Sequence, residues 1–169
     1  MRSTADRRRH AQIQLLIAAL AAVTIVGCSS PDDNTDRQAT VASIGAEVMP
    51  FDLDETTHTF TKTESGGVQL VTSDDPTDRT QIGLIRQHLR TERTNFAAGD
   101  FSDPARIHGM DMPGVSELSA GYSRITVTYT ERPDGAELTY TTDDADLIDA
   151  IHSWFDRQVM DHGDDAASG

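Results

Sequence analysis

His108-Gly109-Met110-Asp111-Met112 puts one imidazole and two thioethers at alternate positions within five residues. On an extended backbone alternate side chains leave from one side of the chain, and thioethers beside an imidazole are a donor set that suits Cu(I). The same residues have a plainer reading, in which Met110 and Met112 fill gaps in a core and His108 bonds a backbone carbonyl. Two further histidines could complete a ligand shell. His162 falls within about 20° of the line through Ile151 and Phe155 on a helical projection, as Gln158 does on the other side, so both face inward. His58 shares its strand face with Phe60, which turns it toward the core. The alternatives are structural: an imidazolium in a last helical turn is favoured by the helix dipole, and a core histidine can simply be hydrogen-bonded. His88 stands one turn before Glu92, a spacing that serves acid-base chemistry or an exposed ion pair. His152 lies about 100° from the core line of its helix, which predicts a solvated side chain.

Enzyme signatures are missing from the sequence. It has no Gly-rich phosphate loop, no CxxC pair, no HExxH and no nucleophile elbow. Haem, copper, another metal or a small ligand remain as cargoes that histidines and methionines could hold, and no catalytic residue stands out.

Two similar segments position these candidates. Residues 57 to 62 and 68 to 72 alternate in polarity around Glu64-Ser65-Gly66-Gly67 and predict a hairpin. Asp75-Pro76 predicts a helix start, and Ile82, Ile85, Leu89 and Phe96 recur at helical spacing up to Gly99. The pattern returns with strands at 124 to 131 and 136 to 141 around Arg132-Pro133-Asp134-Gly135. A helix opened by Asp143-Asp144 follows, carrying Leu147, Ile148, Ile151, Trp154 and Phe155 to Gly163. The expected fold is therefore α+β, two ββα units forming a four-stranded antiparallel sheet with two helices packed on one face, a two-layer sandwich. Between the units, residues 99 to 114 hold Gly99, Pro104, Gly109, Pro113 and Gly114, which predict a functional loop outside regular structure.

The N-terminus predicts the address. Arg2, Arg7, Arg8 and Arg9 precede an apolar run from Ile13 to Val26, and its 14 residues fall short of the about 20 needed to span a bilayer. Ile25-Val26-Gly27-Cys28 fits a bacterial lipobox. Cys28, the single cysteine of the chain, would become an acylated N-terminus, each buried CH₂ adding about 0.8 kcal/mol of membrane affinity. Residues 1 to 27 are then a lipoprotein signal peptide, 28 to 47 a flexible tether, 48 to 163 one α+β domain, and 164 to 169 a disordered tail.

The whole chain carries a net charge of −14; without residues 1 to 27 it has 10 Lys+Arg against 27 Asp+Glu, a net charge of −17. Such a surface repels phosphate backbones and anionic headgroups. Nucleic acid is not an expected partner, and the lipid is the expected hold on the membrane.

The strings MPFDLDETTHTF, IRQHLRTE, GDFSDPA followed two residues later by His108, the MPG after it, and AIHSWFDRQVMDHG resemble a family of small exported bacterial proteins. They cover most of residues 49 to 163. Members often carry the label aspartate carbamoyltransferase, but this chain lacks the S-T-R-T loop that holds carbamoyl phosphate in that enzyme. The resemblance implies a shared use for the strings holding His58, His88, His108, His152 and His162 without naming it. The expected function is a lipid-anchored extracytoplasmic binding module with a His/Met site. The competing expectation is an accessory lipoprotein that docks on a membrane complex and carries no ligand chemistry.

Overall fold

The structure is a computed structural model that describes residues 31 to 169. The expected signal segment and Cys28 lie outside the described residues. The fold is α+β, with a mixed five-stranded sheet in the order β3-β4-β2-β1-β5. Its strands are β1 (Thr56–Thr63), β2 (Gly66–Ser73), β3 (Thr126–Arg132), β4 (Gly135–Thr141) and β5 (Ala166–Ser168). The helices are α1 (Pro31–Val48), α2 (Arg79–Phe96), α3 (Ser102–His108), α4 (Val115–Gly121) and α5 (Ala145–His162).

The two hairpins, β1-β2 and β3-β4, lie side by side and join through an antiparallel β2-β4 ladder, with Val71 opposite Ala136 and Gln69 opposite Leu138. Alternation does the sorting. On one face His58, Phe60, Val71, Val127, Ala136, Leu138 and Tyr140 are buried. On the other, Thr57, Thr59, Thr61, Thr72, Thr128 and Thr139 are partly or fully exposed. Helices α2 and α5 cover the buried face with Ile85, Leu89, Phe96, Ile151, Trp154 and Phe155. Trp154 stands edge-on to Phe96, Phe101 and Tyr140 with centroids 5.5 to 5.8 Å apart, an arrangement that adds quadrupole attraction to the area the rings bury.

The structure departs from the sequence expectations in four places. A fifth strand, β5, pairs parallel to β1 through His58–Ala166 and Thr59–Ala167, so the sheet is mixed and residues 164 to 169 are not a loose tail. Gly169 N–H also donates to the Phe60 carbonyl at 3.1 Å. Next, residues 31 to 48 form helix α1 in place of the flexible tether expected over 28 to 47. Its inward side is Asn34, Arg37, Gln38, Val41, Ile44, Gly45 and Val48, at 3.6-residue spacing. Four of those seven residues are polar or Gly, so no apolar period marks it. A Cβ on Gly45 would meet Leu53 Cδ1 at 2.9 Å, which shows how closely the helix approaches the domain.

Helix α2 begins at Arg79 rather than after Asp75. Asp78 caps it, its carboxylate accepting from Thr80 N at 2.8 Å and Gln81 N at 3.0 Å, while Asp75 closes a turn on Thr77 N at 2.8 Å. Finally, the expected loop at 99 to 114 holds helix α3 and leads into α4. Its Pro and Gly residues serve as helix ends: Pro104 sits in the first turn of α3, where no N–H is needed, and Gly109 (φ 100°) and Gly114 (φ 81°) take left-handed positions at the ends of α3 and α4. Seven-residue helices are too short to show a period.

Candidate functional site: a histidine-lined cavity

Three expected ligands converge and two do not. His58 comes from β1, His108 ends α3, and His162 ends α5; the His162 ring centroid lies 5.2 Å from that of His58 and 5.0 Å from that of His108, edge-on to both. Met110 is 89% exposed and Met112 is 4% exposed within the hydrophobic core. The alternation argument fails because the segment is not extended: His108 ends helix α3, Gly109 caps it, and Met110 and Asp111 form a turn, so the thioethers do not join the imidazoles.

The three rings line a cavity of about 30 Å³ together with His88, Glu92, Asp103, Gln69 and Gln158. That volume holds about one water or one ion and excludes a haem. Five elements shape it: β1 supplies His58, β2 supplies Gln69, α2 supplies His88 and Glu92 one turn apart, α3 supplies Asp103 and His108, and the end of α5 supplies Gln158 and His162.

The imidazoles of the cavity are kept neutral. Burial, and then the proximity of His162, His88 and His108, pull the His58 imidazolium pKa down to about 3. Burial and His108 lower His162 to about 4. The helix-dipole reading of His162 therefore gives way, since desolvation outweighs the favourable C-terminal field. His58 is 3% exposed, and its Nε2 has no hydrogen-bond partner. A buried lone pair or N–H left unmatched costs about 1 to 3 kcal/mol, which a bound water or ion could return.

His108 is held differently. Its Nδ1 lies 2.9 Å from Asp161 Oδ2. Asp161 is wholly buried and accepts a bidentate pair from Arg37, Nε to Oδ1 at 2.6 Å and Nη2 to Oδ2 at 2.7 Å. Arg157 Nε is 3.1 Å from the same carboxylate, and Arg37 Nη2 also donates to the His108 carbonyl at 2.9 Å. Burial pushes the Asp161 carboxyl up, but the hydrogen bonds from Arg37 and His108 and the charge of Arg157 outweigh it and hold the carboxyl below its ordinary range. Burial lowers His108 against the pull of Asp161. A carboxylate on Nδ1 selects the Nδ1–H tautomer and leaves Nε2 as a lone pair.

His88 and Glu92 are not the exposed ion pair expected of them. His88 is half-buried, edge-on to Phe51 at 5.6 Å. Glu92 is 5% exposed and accepts from Asn95 Nδ2 at 3.0 Å. Burial first, and then the Asp103 carboxylate, raise its pKa to about 7. His152, expected in solvent, is part-buried, with Nε2 at 2.9 Å from the Gly66 carbonyl and 3.1 Å from that of Thr63, where it ties α5 to the first hairpin.

Sequence reasoning did not find Arg37, Asp103 or Asp161 as members of this cluster. Asp161 lies about 80° from the core line of α5, so the helical period does not select it. Helices α1 and α3 are what bury it. Among the described residues no group of three or more His, Cys, Asp or Glu side chains stands preset to hold a metal ion, so closing the imidazoles on one ion would require ring rotation. No family model, curated protein or solved structure matches this chain.

Proposed function

We propose that this protein is a lipid-anchored extracytoplasmic binding module, and that its cavity takes a single transition-metal ion on His58, His108 and His162. The observation that carries the reading is the buried, unpartnered Nε2 of His58 in a cavity shared with two other neutral imidazoles. Neutral imidazole is the protonation state a metal needs, and it suits Zn, Cu(II) and Ni. Without the thioethers of Met110 and Met112 the donor set is harder than first expected, which favours Cu(II) over Cu(I). Glu92 from α2 and Asp103 from α3 also line the cavity, and loss of the Glu92 proton on binding would offset the charge of an entering cation.

Lipid attachment at Cys28 rests on the lipobox, and mass spectrometry of the mature N-terminus tests it. An unacylated terminus elsewhere removes the anchor from the proposal. For the ion, the test is a competition titration of the metal-free protein with Cu²⁺ and with Zn²⁺. The expected result is one ion per chain, with affinity lost in His58→Phe. Absence of binding to the wild type, or equal binding by the variant, rejects the site.

An accessory role gains support from one feature, an open groove of about 630 Å³ between α3 and α4 lined by Phe101, Ala105, Met110, Val115 and Ala120. A partner seated there would bury the exposed Met110. A metal-free native protein together with a Met110→Asp variant that no longer co-purifies with a membrane complex would favour that reading.

A further inference from the structure

Helix α1, the segment that follows the proposed lipidation cysteine, reaches the back of the cavity wall through one side chain, Arg37. Arg37 lies 124 residues before Asp161 in sequence, yet its guanidinium spans both carboxylate oxygens at 2.6 and 2.7 Å, and its Nη2 also holds the His108 carbonyl at 2.9 Å. One side chain thus fixes both the acceptor of the His108 ring and the backbone that carries the ring. Asp161 is wholly buried and the Arg37 side chain is 34% exposed, so the pair is sheltered on the acid side and reached by water on the basic side. A planar fork against a carboxylate fixes direction as well as distance, which a lysine could not do.

We propose that Arg37 and Asp161 are positioning residues that hold His108 as the Nδ1–H tautomer with its Nε2 free for a ligand, which makes α1 a working part of the site. The proposal rests on the ion-binding reading for its purpose. It does not rest on it for its geometry. Arg37 acts on Asp161, Asp161 on Nδ1, and only the opposite nitrogen of the ring would meet an ion. Carboxylates behind ligating imidazoles raise ligand basicity and lock ring orientation, and their loss typically costs ten- to a hundredfold in metal affinity.

The test uses the full chain purified in detergent, metal-free and labelled with ¹⁵N at histidine, with the His108 signals assigned by their loss in His108→Gln. Imidazole ¹⁵N shifts report the tautomer, and titration with Cu²⁺ alone reports affinity. The expected wild-type result is Nδ1–H at His108. Asp161→Asn should move the ring toward Nε2–H or a mixture, and Arg37→Gln should broaden or partly shift it; both should weaken Cu²⁺ ten- to a hundredfold, with unchanged Trp154 fluorescence and His152 signals. If Asp161→Asn does not fold, Arg37→Gln at its part-exposed position carries the test. An Nε2–H ring in the wild type overturns the proposal, as does an Arg37→Gln protein that keeps both the wild-type tautomer and affinity. A wild type that shows the expected tautomer and its shifts but binds no ion leaves the positioning intact and rejects the ion site.

Discussion

Acid should unfold this protein earlier than its carboxylates alone would require, with a slope to which His58, His162 and Glu92 contribute and to which His88 and His108, also lowered by burial, add in the direction of the other histidines. His58 and His162 have folded pKa values of about 3 and about 4 against about 6.5 in an unfolded chain. Both are depressed, so the stability they confer is complete above pH 6.5 and is lost as pH falls toward the folded values. Glu92 has the opposite sign. Its folded pKa of about 7 exceeds the ordinary glutamate value of 4.5, so between those values the native state holds the extra proton and gains stability as pH falls. Counting His58, His162 and Glu92 alone, from pH 6.5 to 4.5 the unfolded chain binds two more protons at the two histidines and one fewer at Glu92. At about 1.4 kcal/mol per pH unit per proton, the net loss is about 1.4 kcal/mol per unit, or about 3 kcal/mol over the interval. Just below 4.5 the contribution of Glu92 stops growing and the slope steepens, until His162 protonates in the native state near pH 4 and the slope falls back. Urea unfolding followed by Trp154, the single tryptophan, at half-unit pH steps with a chelator present measures this directly. Glu92→Gln should steepen the slope above pH 4.5 to about 2.7 kcal/mol per unit. Stability that stays flat or rises from pH 6.5 to 4.5 in the wild type would refute the assignment of neutral buried imidazoles.

The Met110→Leu, Met112→Leu double variant should lose under about 1.5 kcal/mol per site and retain wild-type Cu²⁺ affinity, as calorimetric titration would show, since one side chain is exposed and the other only packs. Trp154→Ala should cost about 3 to 5 kcal/mol in chemical denaturation, because four aromatic rings lose their shared neighbour. Asp78→Ala and Asp144→Ala should each cost about 1 kcal/mol by removing the N-caps of α2 and α5, read as a lowered urea midpoint. Gly114→Ala should fail to fold at 37 °C or lose several kcal/mol, since a Cβ there would sit 2.1 Å from the Ala150 carbonyl oxygen at a φ of 81°.

The hairpins and the two long helices could be read from the sequence because each has a strong period: two along β1 and β4, 3.6 along α2 and α5. Inward placement of His58, Gln158 and His162 followed from the same periods. Helix α1 escaped because its buried stripe runs through Asn34, Arg37, Gln38 and Gly45, residues that carry polarity or no side chain. Helix α3 escaped because one turn of Ala105, Ile107 and His108 is too short to distinguish from a loop. With both of those missing, Asp161 had no neighbours to suggest its burial, and the anchor for His108 stayed hidden. Strand β5 is three small residues with no alternation to read, and it exists because β1 offers an unpaired edge.

The cavity draws on widely separated parts of the chain, from Arg37 behind His108 to His58 on the first strand and His162 just ahead of the last. Local pieces such as the β1-β2 hairpin can form in microseconds, whereas closing Arg37 onto Asp161 must join points more than a hundred residues apart. Assembly of the cluster therefore belongs to the final stage of folding. A chain emerging N-terminus first would display Arg37 without its Asp161 partner until the end of α5 arrived. In that interval the Arg37 stripe would be open to proteases and to other chains, and clipping between α4 and the end of α5 would leave the histidines of β1 and α3 with no site to complete.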